Sequence, residues 1–252
     1  MNIDAPQTSA LPLLRALWKE AFGDGDEFID TFMSVAYSPQ RCRCVSVDGN
    51  VAAALYWFDC SCEGQRIAYL YAIATAKAYR GRGFCKALME NTHAHLRALG
   101  YSGAVLVPAS KGLFDFYGRM CYSVCSYAQE LTVEATNESV DFREIDGTDF
   151  SSLRRDFLKK GSVIQENENI NFLKTQARLF AGKDFLIAAG GDGDTLYAME
   201  LLGRLDSAAA MAGALGYSQL RARRGGHDRP FAMYLPLVDG AVTPCYFGLP
   251  FD

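Results

Sequence analysis

Apolar residues recur at helical spacing over residues 11–22, at Leu11, Leu14, Leu17, Trp18 and Ala21, and again over 27–36, at Phe28, Ile29, Phe32 and Val35. Two amphipathic helices therefore open the chain. The period then shortens to that of strands. Residues 43–47 and 51–60 flank the turn Asp48-Gly49-Asn50 as an antiparallel hairpin, and a second reversal at Glu63-Gly64 leads into a long strand over 66–75. A loop with two glycines follows. The helix after it, over 86–99, carries Phe84, Leu88, His95 and Leu99 on its apolar face and ends at Gly100, a left-handed stop. Residues 103–107 read as a short buried strand, Ser110 as the cap of a helix over 111–120, and 122–132 as a returning strand. This order predicts an α/β chain, a mixed sheet flanked by helices on both faces.

Residues 134–139 are polar apart from Ala135 and read as a linker, so the chain divides into a first unit over 1–133 and a smaller α/β unit over 140–252. The second unit is expected to hold helices near 150–158 and 170–180, a hairpin turning at Gly191-Asp192-Gly193, a small-residue helix over 207–215, and strands over 218–223 and 231–237. One internal echo connects the two: Ala98-Leu99-Gly100-Tyr101-Ser102 recurs as Ala214-Leu215-Gly216-Tyr217-Ser218, ending a helix and starting a strand each time. On that alignment the second copy is shorter, and the deficit falls where the first has its glycine loop. Gly203-Arg204-Leu205-Asp206 joins strand to helix directly.

With 252 residues, half of them hydrophobic, the chain can bury a sizeable core. A formal net charge of −4 with no basic block argues against nucleic acid as the main partner and agrees better with a small cationic one. The first six residues lack the basic flank and apolar run of a leader, and no later run is long enough to cross a bilayer, so a cytoplasmic protein without membrane partners is expected. Eight cysteines include the pairs Cys42-x-Cys44 and Cys60-x-Cys62. Both pairs lie in strands, where alternate residues share a face, and they read as small buried hydrophobes; paired zinc ligands favour wider spacing in turns, and no metal is expected.

The chemistry concentrates in Tyr79-Arg80-Gly81-Arg82-Gly83-Phe84-Cys85, between the long strand and a helix. Backbone N–H groups at such a turn, with the positive end of a helix dipole behind them, suit a pyrophosphate. The pattern Arg-x-x-Gly-x-(Gly or Ala) after a strand and before a helix resembles the coenzyme A loop of the GNAT acetyltransferase superfamily, with Cys85 in place of the usual last small residue. Phe116-Tyr117-Gly118-Arg119 is a second resemblance, closest to the tandem branch typified by the enhanced-intracellular-survival aminoglycoside acetyltransferases, which join a GNAT unit to a degenerate one. The resemblance implies a mostly antiparallel GNAT sheet and a second, degenerate GNAT-like unit that walls the substrate cleft.

It further implies acetyl-CoA as cosubstrate, bound by Arg80, Gly81, Arg82, Gly83, Phe84 and Cys85. Backbone groups of Ile73, Ala74 and Thr75 would pair with pantetheine, and Tyr117 would act as the general acid. The implied reaction is direct acetyl transfer to a primary amine, expected to belong to a small molecule. No base declares itself on the strand at 67–72; water, Glu200 or Asp252 remain for that role, and His93, His95 and His227 are weaker candidates. Two other readings stay open: a regulatory module that binds acyl-CoA without transfer, and a protein or peptide N-acetyltransferase.

Overall fold

The structure, a computed structural model, describes residues 1–251. It divides into two compact units, Met1–Ser123 with Tyr234–Val242, and Val124–Met233 with the segment from Thr243 onward.

The first unit opens with the edge strand β1 (Asn2–Asp4) and helices α1 (Leu11–Phe22) and α2 (Asp26–Val35). Leu14, Leu17 and Trp18 of α1 and Ile29 and Phe32 of α2 are its buried stripe. They pack on the strands, with the Trp18 ring 4.7 Å from that of Phe32 and 5.3 Å from that of Tyr56. Strands β2 (Cys42–Val47), β3 (Asn50–Cys62) and β4 (Gln65–Thr75) form consecutive antiparallel pairs. Both hairpin turns have positive φ at their two central residues, 48° and 79° at Asp48 and Gly49, 49° and 76° at Glu63 and Gly64, which matches the right-handed twist of the flanking strands. Helix α3 (Phe84–Ala98) then returns the chain to β5 (Gly103–Leu106), parallel to β4, and α4 (Lys111–Gly118) follows. Cys42, Cys44, Cys60 and Cys62 are buried in β2 and β3.

The neighbour of β5 is not the strand that follows it in sequence. Residues 234–236 lie beside β5, with the Leu237 N–H on Ser102 O at 2.8 Å and the Arg97 Nε on Leu237 O at 2.8 Å. Gly103 permits this approach, because a Cβ there would sit 2.0 Å from the Tyr234 hydroxyl oxygen.

The second unit contains β6 (Ser123–Glu134), β7 (Phe142–Glu144), α5 (Gly147–Phe157), β8 (Ile164–Gln165), α6 (Glu168–Leu173) and β9 (Arg178–Gly182). There follow β10 (Phe185–Asp192), β11 (Thr195–Gly203), α7 (Leu205–Ala214), β12 (Gln219–Gly225) and β13 (Arg229–Pro236), the last divided between the units. Its strands run in the order β6-β12-β11-β10-β9-β7. Helix α7 buries Ala208, Ala209, Ala210, Met211 and Ala212 against this sheet. Its small residues let backbones approach, and a Cβ on Gly213 would lie 2.1 Å from Thr136 O.

Three sequence expectations change. The strand expected at 122–132 forms as β6 but pairs antiparallel with β12, from Gln219↔Glu134 to Gly225↔Ala128, so the compact units do not follow the ranges 1–133 and 140–252. The helix expected over 170–180 stops at Leu173, and Arg178 to Ala181 pair with β10 instead, burying Leu179 and Phe180. On α3 the buried face holds Phe84, Leu88, Met89, Thr92, His93 and Leu96, whereas Leu99 is 45% exposed.

The echo noted in the sequence is the same structure twice. Leu99 and Leu215 donate to the carbonyl four residues back at 3.1 and 3.0 Å, and Gly100 and Gly216 to the carbonyl three back at 3.0 and 2.9 Å. Tyr101 and Tyr217 donate five back, each at 3.0 Å, and Ser102 and Ser218 reach the hairpin carbonyls of Arg66 and Asp194, each at 2.8 Å. The glycines have φ of 81° and 89°, the left-handed helix stop that only glycine adopts without cost.

Candidate active site

Strand β4 carries one more residue than β3 between the pairs Ala54↔Ala74 and Tyr56↔Tyr71, a bulge at which Ala72 has φ 47°. A non-glycine residue in this region is strained, and bulges re-aim a strand. The parallel pairing of β4 with β5 runs from Ile67↔Gly103 to Tyr69↔Val105, yet β4 continues to Thr75. The two strands therefore part at their C-terminal ends, where the loop begins.

The loop is held at its base by the Ala76 N–H on Ala52 O at 3.0 Å, the Lys77 N–H on Glu20 Oε1 at 2.7 Å and the Arg80 Nε on Thr75 O at 3.1 Å. Gly81 and Gly83 have φ of 72° and 80° with open space where a Cβ would stand, so glycine serves the backbone conformation and leaves the ligand side unobstructed. The first intrahelical bond of α3 is Ala87 N–H to Gly83 O at 3.0 Å, so the N–H groups of Phe84, Cys85 and Lys86 remain for an acceptor outside the helix. The first turn of α3 contains no acidic residue. With the helix dipole and the side chains of Arg80 and Lys86, the field here attracts an anion.

A cavity of about 430 Å³ lies against this loop, and Ile73, Thr75, Arg80, Gly81, Gly83, Phe84, Cys85 and Tyr117 border it. Ala74 is buried on the opposite face of β4, as strand alternation requires. Arg82 points elsewhere too, stacking over Tyr79 at 5.4 Å and Phe84 at 5.2 Å and so stiffening the loop. Tyr79, Lys86, Leu113 and Phe116 complete the wall. Lys86 could have been found from its place in the first helical turn; Leu113 and Phe116 share a face of α4 with Tyr117, as spacings of three and four dictate.

Tyr117 is 6% exposed, and burial raises its pKa, with the neighbouring Cys85 adding to the rise. Cys85 is itself pushed up to about 11 by burial, against a smaller opposing effect of Thr75, so both groups are protonated at neutral pH. Thr75 Oγ1 is buried and, apart from its influence on the Cys85 thiol, has no hydrogen-bond partner among the described residues.

The bases considered from sequence lie elsewhere or are engaged. His93 is buried with Nε2 2.8 Å from the Tyr122 hydroxyl, and burial, helped by Arg97, lowers its pKa to about 4. His95 packs against Trp57, ring centroids 6.0 Å apart. In the second unit Glu200 is 1% exposed, accepts from Arg154 Nε and Nη2 at 2.7 and 2.9 Å, and accepts the Tyr246 hydroxyl at 2.9 Å. Its lone pairs are committed to structure. Asp252 lies outside the described residues.

Residues 2–125 match the family model described as an acetyltransferase (GNAT) domain. None of the curated proteins matches the chain in sequence. Among solved structures, a GCN5-related N-acetyltransferase from Anabaena variabilis shares the fold with a TM-score of 0.73 at 14% identity, over 94% of this chain and 73% of that one. Another from Kribbella flavida has a TM-score of 0.68 at 15% identity, over 92% and 70%. Eis1 from Mycobacterium abscessus has a TM-score of 0.67 at 11% identity, over 94% and 74%.

Proposed function

With residues 2–125 forming a GNAT acetyltransferase domain, we propose that the chain is an N-acetyltransferase that moves an acetyl group from acetyl-CoA to a primary amine of a small molecule, by direct attack in a ternary complex. The observation that carries this reading is convergence: the free end of β4, the two-glycine loop, the first turn of α3 and Tyr117 all border one cavity.

The residues fit the cosubstrate. A pyrophosphate suits the N–H groups of residues 84–86 and the cations Arg80 and Lys86, and a pantetheine arm suits the wall of Ile73, Leu113 and Phe116 with the unpartnered Thr75 hydroxyl. When bound, acetyl-CoA supplies a thioester whose carbonyl carbon takes the amine nitrogen as the C–S bond breaks. Backbone N–H groups of β4 beyond its last pair with β5 polarise the carbonyl, a contribution of several kcal/mol in comparable acyl-transfer sites. Tyr117, kept neutral by burial, gives its phenolic proton to the departing sulfur. The proton of the attacking amine passes to water, and solvent returns a proton to the Tyr117 phenolate after the thiol leaves; Glu200 and His93 are held in their own hydrogen bonds.

The second unit takes no coenzyme A in this reading. There α7 starts two residues after β11, and its first turn carries Asp206, which neutralises the helix dipole that α3 leaves available. An acetyl-CoA consumption assay, reading thiol release over a panel of small amines, tests the proposal together with calorimetric stoichiometry. Amine-dependent release with one coenzyme per chain is expected. Binding without turnover on any amine would favour a regulatory module, and two equivalent sites would overturn the reading of the second unit.

A further inference from the structure

The second unit repeats the strand geometry of the first but fills it with different chemistry. Strands β11 and β12 are parallel from Thr195↔Gln219 to Ala198↔Ala222, after which β11 runs on to Gly203 and β12 to Gly225. As on β4, β11 holds one extra residue relative to its hairpin partner, here Met199 between the pairs Ala188↔Glu200 and Ala189↔Ala198. Setting the first parallel pairs on one another, Ile67↔Gly103 on Thr195↔Gln219, carries Ile73, Ala74 and Thr75 onto Leu201, Leu202 and Gly203. These three residues, with the end of β12 opposite, border a cavity of about 590 Å³ made wholly of second-unit residues.

Its walls are amphiphilic. Phe157, Leu158, Leu202 and the Tyr246 ring supply apolar surface, while the Leu201 side chain turns into the core against α7. The polar side is cationic in balance: Arg224 and Lys159 face one carboxylate, Asp228, and His227, and neither cation forms an ion pair among the described residues. Ser162 adds an independent observation. It is 3% exposed, borders the cavity, and its Oγ has no hydrogen-bond partner. A buried hydroxyl without a partner costs free energy unless a ligand or water completes it. Two unpaired cations beside such a hydroxyl, over an apolar floor, match one kind of molecule.

We propose that this cleft binds a small organic anion with an apolar body, its carboxylate, sulfonate or phosphate group on Arg224, Lys159 and Ser162 and its hydrocarbon part against Leu202, Phe157 and Leu158. The site takes a ligand of its own and stands on second-unit residues, independent of the acetyl-transfer reading.

The test uses the full chain with the fluorescent probe anilinonaphthalene sulfonate, displaced by octanoate or by the neutral octanamide. Saturable binding is expected, with octanoate displacing the probe at concentrations at least about tenfold lower than octanamide. The double variant Lys159→Gln/Arg224→Gln, with its thermal midpoint unchanged, is expected to weaken probe and octanoate by at least about tenfold. Arg224→Lys in the otherwise native chain is expected to retain most of the affinity. The Gly83→Glu variant, which changes only the first unit's loop, is expected to bind the probe normally. Absence of saturable binding, equal displacement by octanamide, full affinity in the double variant, or loss of the probe site in Gly83→Glu would each overturn the proposal.

Discussion

Replacing Tyr117 by phenylalanine removes one oxygen from a side chain that is 6% exposed and borders the cavity at the two-glycine loop. The ring stays, with its edge contacts to Phe116 at 5.2 Å and Tyr122 at 6.0 Å between centroids. Among the described residues the Tyr117 hydroxyl has no hydrogen-bond partner, so its loss breaks no internal bond, and folding stability should change by less than about 0.5 kcal/mol, or about 1–2 °C in Tm. Catalysis should respond on another scale. A general acid contributes roughly 10²-fold or more, equivalent to about 2.7 kcal/mol in the barrier. The assay is thiol release under saturating acetyl-CoA and amine, with calorimetry of acetyl-CoA and a thermal melt on the same preparation. The expected pattern is kcat down by about 10²-fold with affinity and Tm preserved. Since burial holds Tyr117 above its ordinary pKa of 10, the wild-type rate should show no loss from phenolate formation below about pH 10. A turnover within threefold of wild type would refute the assignment, and a lowered Tm with intact turnover would mark Tyr117 as a packing residue.

Gly83→Glu places a carboxylate and a left-handed-disfavoured residue at φ 80°, and acetyl-CoA affinity by calorimetry should fall at least about tenfold in a chain that still melts cooperatively; unchanged affinity removes the loop from the cofactor site. Glu200→Gln strips the charge from a partner of Arg154 that is itself 2% exposed, leaving an uncompensated buried cation, and denaturant unfolding should report a loss of about 3–5 kcal/mol; a loss below about 1 kcal/mol would show the pair to be dispensable. Burial lowers the pKa of His93 from 6.5 to about 4, so the unfolded chain takes up the proton first, and stability present above about pH 6.5 is lost as pH falls toward 4, by up to ~3 kcal/mol. His93→Gln should flatten that part of the Tm profile between pH 7 and 4.5, and an unchanged slope would assign the acid sensitivity to other groups.

The helices and hairpins of the first unit are legible in the chain because their causes are local. Trp18, Ile29 and Phe32 fall on helical stripes, and Asp48-Gly49 and Glu63-Gly64 supply the positive φ that tight hairpins need. The two-glycine loop is legible for the same reason: two glycines between a strand and a helix leave unpaired N–H groups at the helix start. The boundary of 170–180 is not legible, since Leu179 and Phe180 are apolar in either state and only the ladder with β10 makes them strand.

Partner choice among strands lies beyond any local signal. Residues 123–134 carry an alternating pattern that satisfies any sheet edge, and nothing in it distinguishes β5 from β12 as neighbour. The backbone offers the same N–H and C=O groups to each. What decides is packing at a distance: Gly103 leaves the space that the Tyr234 ring occupies, and residues 234–236 take the place beside β5. Local composition thus determined the helices, hairpins and two-glycine turn of the first unit, while long-range fit decided which strands share a sheet and that the segment beginning at Arg178 is strand. That fit also set where β4 and β11 part from their parallel neighbours, and those partings are where each unit opens a cavity.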